Sequence, residues 1–259
     1  MKFVKDLHVD NIDFLREDYI LLRLVDPDQA LPPMLPGQFV QIAIDDSSTT
    51  FLRRPISIND VDVEKHSIDL LIHMVGDGTK SLGKLRKGQT LNCIYPLGNG
   101  FTVPPISEGK KKLLLIGGGV GTAPMLLYGR QLFEAGHEPV FLLGGRSQRD
   151  LLELDRFSAF GRVFTTTEDS TMGETGFVTH HSIWKKEQFD SVAACGPKPM
   201  MQAVAKLARE YDTPCFVSLE NLMACGIGAC LCCIEKTVKG NVCVCTEGPV
   251  FNTNQLTWE

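Results

Sequence analysis

Residues 225–245, CGIGACLCCIEKTVKGNVCVC, hold six of the nine cysteines (Cys225, Cys230, Cys232, Cys233, Cys243 and Cys245) and restrict the chain more than any other stretch. Cys225, Cys230 and Cys233 followed by Cys245 read C-x4-C-x2-C and a distant fourth cysteine, the spacing of plant-type 2Fe–2S proteins. A two-iron cluster needs four thiolates converging on a small bridged core. A tight loop supplies three, and the fourth returns from a later segment. Gly226 and Gly228 suit such a loop, because small residues let backbone N–H groups turn toward the cluster sulfurs. A structural zinc site also takes four thiolates, usually from two short knuckles, and Cys243-Val244-Cys245 makes a poor second knuckle. Iron–sulfur is therefore the favoured reading. Cys232 and Cys243 are spare. Alternate strand residues share a face, so a strand over 243–245 would point Cys243 and Cys245 the same way, and spacing does not choose between them.

An odd cysteine count, and a start (MKFVKDLHVD) without the apolar core of a signal peptide, argue for a reducing compartment rather than a disulfide framework, with the cytoplasm as the expected location. A net charge of −5 with no long Lys/Arg run gives nucleic-acid binding no electrostatic support. No run of about 18 apolar residues is present to form a transmembrane helix.

Two grammars follow one another along the 259 residues, enough for two domains. Up to about residue 105, short apolar runs (YILLRLV, GQFVQIAI, PISIND, SIDLLIHMV, TLNCIYPLG) are broken by turn signals such as Pro32, Pro33, Pro36 and Gly37; several short strands without a long helix predict a small antiparallel β barrel. From Lys112, KLLLIGGGVGTAPMLLYGRQLFEAG reads as buried strand, glycine turn and amphipathic helix ending at Gly136. PVFLLGGR, GRVFTTTE, FDSVAACG and PCFVSLE add strands, with a helix from Pro197 to Glu210. Alternating strands and helices predict an α/β domain with a parallel sheet. SEGKKK at 107–112 is the expected boundary, so the reading is a barrel over 1–107, an α/β domain over 108–218 and a cluster module over 219–259.

GGGVGTAP at 117–124 joins a strand to a helix, where backbone N–H groups favour a phosphate. The pattern is G-x-G-x-x-T, and the next strand ends in Gly144-Gly145-Arg146 rather than an acid, so the match to an NAD fingerprint is partial. The alternative is a tight turn with no ligand. Cys195-Gly196-Pro197 ends another strand and would face the same crevice; a buried, inert thiol is the alternative. In the barrel, Arg54 and Ser57 of RRPISI could hold a phosphate or a ring edge, and Gly78, Thr79 and Lys80 open a short helix. Each is weak alone. The six histidines form no ligand spacing, and Glu220 precedes the cysteine loop either as a flavin neighbour or as a solvated turn residue.

In combination, R-P-x-S, G-x-G-T, GGGVGTAP and CGP stand in the order found in the ferredoxin–NADP reductase superfamily, which pairs an FAD-binding barrel with a nicotinamide-binding α/β domain. The tail, LENLMACGIGACLCC and CTEGPVF, resembles the electron-transfer subunits of B-type dihydroorotate dehydrogenases. This resemblance covers nearly the whole chain. It implies that Arg54, Pro55 and Ser57 bind the FAD phosphate and isoalloxazine region, with Ile56 where many members carry an aromatic. His73, Met74 and Val75 would run beside the FAD, and Gly78 and Thr79 would hold its pyrophosphate. Gly117, Gly119, Gly121 and Thr122, with Arg146, Cys195, Gly196 and Pro197, would receive NAD, Cys195 being the candidate catalytic group. Matching ACGIGAC and C-x-x-G-P-V-F implies Cys225, Cys230, Cys233 and Cys245 as the cluster ligands, over Cys232 and Cys243.

The function implied is an oxidoreductase subunit that carries electrons between NAD, FAD and a 2Fe–2S cluster. Its expected partner is an FMN-containing catalytic subunit oxidising dihydroorotate to orotate in pyrimidine biosynthesis, in a heterotetramer of two of each. Other readings are an NAD(P)H–ferredoxin reductase or sulfide-dehydrogenase-type subunit and, in a different class, a metal-stapled interaction module.

Overall fold

The computed structural model describes residues 2–26, 30–45, 47 and 49–258. The chain forms two compact units. One joins the residues up to Gly100 with Asn221–Glu235 and Val242–Pro249; the other joins Phe101–Glu220 with Lys236–Asn241 and the residues from Val250 on.

The first unit is a curled antiparallel sheet, a half-barrel, of β1 (Phe3–Arg16), β2 (Tyr19–Val25), β3 (Phe39–Ile42), β4 (Arg54–Ser57), β5 (Asp60–Asp62), β6 (Ser67–His73) and β7 (Thr90–Leu97), in the order β4-β3-β7-β1-β2-β6-β5. Helix α1 (Asp77–Leu82) follows β6. The strands expected from the apolar runs are present. The 14-residue β1 was not among them, because FVKDLHVDNIDFLR buries only Leu7 and Val9. Ile20, Leu22 and Leu24 of β2 alternate inward. On the same strand Arg23 donates two hydrogen bonds, 2.7 and 2.9 Å, to the buried carboxylate of its cross-strand partner Asp69, a bidentate pairing that satisfies a charge inside the sheet.

The second unit is a mainly parallel sheet of β8 (Lys112–Gly118), β9 (Glu138–Gly145), β10 (Arg162–Thr167), β11 (Glu174–Thr175), β12 (Ser191–Cys195) and β13 (Cys215–Ser218), interleaved with α2 (Ala123–Glu134), α3 (Leu154–Ser158), α4 (Ile183–Lys186) and α5 (Lys198–Glu210). The C-terminal hairpin of β14 (Ile234–Thr237) and β15 (Gly240–Cys243) leads into a one-turn helix α6 (Val244–Glu247). Strand β16 (Val250–Asn252) then pairs antiparallel with β13. Sheet order is β11-β10-β9-β8-β12-β13-β16. The chain leaves β8 for β9 on one side and later adds β12 on the other, so the strand order reverses between β8 and β12, the place where open parallel sheets bind ligands. From Leu113 onward β8 is buried throughout, as both-face coverage demands.

Glu187, just past α4, ties together the starts of two strands. It accepts two hydrogen bonds from Arg162 of β10, at 2.8 and 2.7 Å, and lies 2.6 Å from Lys112 Nζ of β8. Arg162 first, then Lys112, hold its carboxyl at about 2, against an ordinary 4.5. A carboxyl depressed in the folded state contributes stability above its unfolded value and loses it as pH falls through the folded one. Glu187→Gln is expected to cost about 1–2 kcal/mol at pH 7, discounted for solvent screening. In urea titrations that penalty should shrink steadily between pH 4.5 and pH 2; a pH-independent penalty would remove the ion-pair account.

Candidate functional site

The cysteine loop runs from Asn221 to Ile234 and is closed at its base by Asn221, whose amide donates to Ile234 O (3.1 Å) and Glu235 Oε2 (3.0 Å). Inside it, Gly226 has φ +72° and Gly228 φ +87°. The left-handed turn at Gly226, which disfavours any other residue, lets the N–H groups of Ile227 and Cys230 point back at Cys225 Sγ, 3.5 and 3.4 Å away. Cys233 and Cys245 form a second pair. Val244 N donates to Cys233 O at 2.9 Å and Cys245 N to Cys233 Sγ at 3.4 Å. Asn99, at the exit of β7, holds the end of α6 through Thr246 O and Glu247 O.

The four expected ligands are thus brought together as two pairs, Cys225 with Cys230 and Cys233 with Cys245. Among the described residues no group of His, Cys, Asp or Glu converges as a site for one ion. A binuclear core takes two thiolates on each iron, so paired thiols fit it better than a single focus. Burial opposes ionisation at Cys225, but the loop N–H groups overcome it and bring the thiol to about 6. Burial, and then Cys233, push Cys245 up to about 12. Bound metal would reverse that, since a coordinated thiol is deprotonated outright. Cys243 is also within reach of Cys233, and its pKa is raised by burial and then by that neighbour. The strand expected over 243–245 stops at Cys243, where α6 begins. Strand alternation is therefore not what brings Cys243 and Cys245 near the same sulfurs. Cys232 is exposed.

Arg54, Pro55, Ile56 and Ser57 form β4 and are all half-buried. Arg54 lies over the start of α1; a Cβ on Gly78 would come within 2.7 Å of its Nε. Among the described residues its guanidinium reaches only the carbonyls of Leu52 and Arg53, at 3.3 and 3.4 Å. A cation with no acid partner among the described residues, resting on a helix start, suits an anionic phosphate. Thr79 Oγ1 bonds both the N–H and the carbonyl of Gly76, so its hydroxyl is committed to the helix cap. His73 stacks on Tyr19 at 4.2 Å and 7° and contacts Asp18 at 3.2 Å. Met74 N donates to Asp18 O, and Val75 is 66% exposed.

In the second unit, Gly117 and Cys195 are register partners, and so are Gly118 and Gly144. The carboxyl ends of β8, β9 and β12 therefore share one edge. Gly119 has φ +56° and Thr122 Oγ1 donates to Gly119 O at 3.0 Å. A Cβ on Gly121 would lie 2.5 Å from Cys195 O and 2.6 Å from the Cα of Gly196. This glycine lets the 117–122 turn close on the Cys195-Gly196-Pro197 turn. Arg146 is exposed at the end of β9. Cys195 is fully buried, with Sγ 3.9 Å from Glu220 Oε1. Burial and then Glu220 raise the thiol pKa; the surrounding protein also raises that of the Glu220 carboxyl by desolvation, although the Glu220 side chain remains solvent-accessible. The thiol is held protonated, which suits a positioning role better than a nucleophilic one. A cavity of about 340 Å³ opens elsewhere in this unit, beside Phe164, Glu174, His181 and Lys186; none of the expected nicotinamide residues lines it.

Several contributors were missed in the sequence: Asp18 and Tyr19 beneath His73, Asn99 beneath α6, and Gln41 beside the cysteine loop. For Gln41 a signal existed, a lone amide inside the apolar run FVQI.

The curled sheet, the parallel sheet with its glycine-turn edge and the paired thiols define a flavin-reductase-type oxidoreductase carrying an iron–sulfur domain. The family model described as the iron–sulfur cluster binding domain of dihydroorotate dehydrogenase B matches residues 220–257, and an oxidoreductase NAD-binding domain matches residues 115–206. The chain is 38% identical over 227 residues to the electron transfer subunit of dihydroorotate dehydrogenase B (NAD(+)) from Shouchella clausii (strain KSM-K16), covering 85% of this chain and 86% of that one. The Fusobacterium nucleatum subsp. nucleatum protein of the same name is 37% identical, covering 83% and 84%. A chain of an NADH-dependent reduced ferredoxin–NADP oxidoreductase superposes with a TM-score of 0.86 at 28% identity, covering 97% of this chain and 90% of its own. This chain belongs to the family of dihydroorotate dehydrogenase B electron transfer subunits. FAD, NAD and a 2Fe–2S cluster are the cofactors of this fold and family, and the residues described above fit each of them.

Gly121→Val is expected to push the two turns apart and weaken NADH binding about tenfold or more, with flavin and iron contents unchanged. NADH titration of the flavin absorbance measures this, and unaltered affinity would detach the turn from the nicotinamide site.

Proposed function

We propose that this chain passes electrons between NAD and a separate, FMN-containing subunit that oxidises dihydroorotate to orotate, as part of pyrimidine biosynthesis in the cytoplasm, in a complex of two copies of each. The observation that carries the reading is the pairing of Cys225 with Cys230 on the cysteine loop, and of Cys233 at the loop's end with Cys245 in α6, within the unit of the curled sheet. When bound, the flavin exchanges two-electron hydride chemistry for single electrons, and the cluster accepts them one at a time. The chain's own residues supply binding and orientation. Arg54 and the α1 start take the FAD phosphates, β4 and the His73–Val75 segment flank the flavin, and the Gly117–Thr122 turn, Arg146 and Cys195–Pro197 take NAD.

The cluster loop has the surface expected of an electron-transfer contact. Leu222 and Leu231 are 86% and 63% exposed, and Ile227 also faces solvent. Apolar side chains around exposed Cys230 suit a protein partner that excludes water near the cluster. The superposition on the ferredoxin–NADP oxidoreductase chain supports a second reading, reduction of a ferredoxin-like acceptor. Co-purification with an FMN subunit that oxidises dihydroorotate separates the two.

Anaerobically purified protein is expected to hold one FAD and two irons per chain and to bleach on adding NADH; zinc without flavin would overturn the proposal. Cys230→Ser should lose the iron while NADH still reduces the flavin. Leu231→Asp should weaken association with the FMN subunit about tenfold or more, with iron and flavin retained; unchanged association by analytical ultracentrifugation would remove this loop from the partner surface.

A further inference from the structure

Gln41 is the one polar residue of β3 and is fully buried, at 0% exposure. Among the described residues neither its Nε2 nor its Oε1 has a hydrogen-bond partner. A side-chain amide offers two donors and a two-lone-pair acceptor, and buried amides are almost always paired. This one is also firmly placed. Its backbone pairs with Pro55 of β4 and Ile94 of β7, and its carbonyl accepts from Arg53 Nη1 at 3.3 Å. The side chain ends against the cysteine loop. A Cβ built on Gly226 would lie 2.7 Å from Gln41 Cγ and 2.8 Å from Nε2. Gly226 is therefore glycine for two reasons: its φ of +72°, and the Gln41 amide occupying the space a side chain would need. Within this unit Gln41 joins the expected flavin strand to the residue that follows Cys225.

We propose that the Gln41 side-chain amide is a positioning and tuning residue of the cluster, donating Nε2–H to a cluster sulfide. An acceptor that arrives with the cluster would satisfy a donor in this place. The loop N–H groups of Ile227 and Cys230 already serve Cys225 Sγ, and Gln41 approaches the same turn from the sheet beneath. Hydrogen bonds to the sulfurs help set a cluster's reduction potential. A donor stabilises the more negative, reduced cluster, so its removal lowers the potential. The inference rests on the proposed function in one respect, that the four cysteines hold a 2Fe–2S cluster.

The test uses the full chain, purified anaerobically with its own flavin and iron, beside Gln41→Leu and Gln41→Met, which keep bulk but cannot donate. Iron content, and the electron paramagnetic resonance of the cluster reduced at fixed potentials, are measured on each. Both variants are expected to keep two irons, with the ratio of reduced to oxidised cluster about tenfold lower at a given potential, equivalent to about 59 mV for one electron. The flavin potential should be unmoved. Pulsed resonance on reduced wild-type protein carrying ¹⁵N-amide glutamine is expected to show a nitrogen coupling, and this readout does not depend on either variant folding. A wild-type cluster without that coupling, or variants with intact clusters at the wild-type potential, would overturn this inference and leave the proposed function standing. Wild-type protein without iron would overturn both.

Discussion

The hydrogen bond from Val244 N to Cys233 O, 2.9 Å long, fixes the cluster site. The two residues come from different ends of the C-terminal hairpin, and this bond places Cys245 beside Cys233. It needs a stable α6, and α6 is only one turn long, so its last carbonyls must find partners outside it. Asn99 provides them at the exit of β7. The fourth thiol is thus positioned by the curled sheet, which is why residues 221–235 and 242–249 form one compact unit with the first hundred residues.

Four thiols in so small a volume pose an electrostatic problem. Each ionisation opposes the next, and burial opposes all of them. The loop meets this unevenly. Cys225 receives two backbone N–H groups and ionises readily, whereas Cys245, buried beside Cys233, does not. An arrangement with one easy thiolate and one strongly disfavoured one awaits a positive centre, and iron supplies it. The Gln41 amide, without a partner among the described residues, would belong to the same set of donors.

Much of this was legible from residue order. The apolar runs located β2, β3, β6 and β7, and the strand–glycine–helix text located β8 and α2, because each buries a face with a simple period. Strand β1 was not legible, since its exposed charges mask the two residues it buries. The thiol pairing lay beyond the sequence as well. Spacing marks which cysteines cluster, but Cys243 and Cys245 could be compared only once β15 was seen to end at Cys243. Asn99 and Gln41 lie more than a hundred residues from the cysteine segments they adjoin, and no local pattern links them.

The arginines show how partners, rather than motifs, separate structural from functional side chains. Arg23 is matched to Asp69, Arg16 to Asp18, Arg53 to Asn92 and Arg162 to Glu187. Each has an acceptor that accounts for its position. Among the described residues Arg54, next to Arg53 in sequence, has only two long contacts to carbonyls of its own turn. It is held half-buried on β4 against Gly78, a place that suits an incoming anion. The neighbouring Thr79 hydroxyl is already committed to Gly76. Direct side-chain recognition of a phosphate at the start of α1 would therefore fall to Arg54.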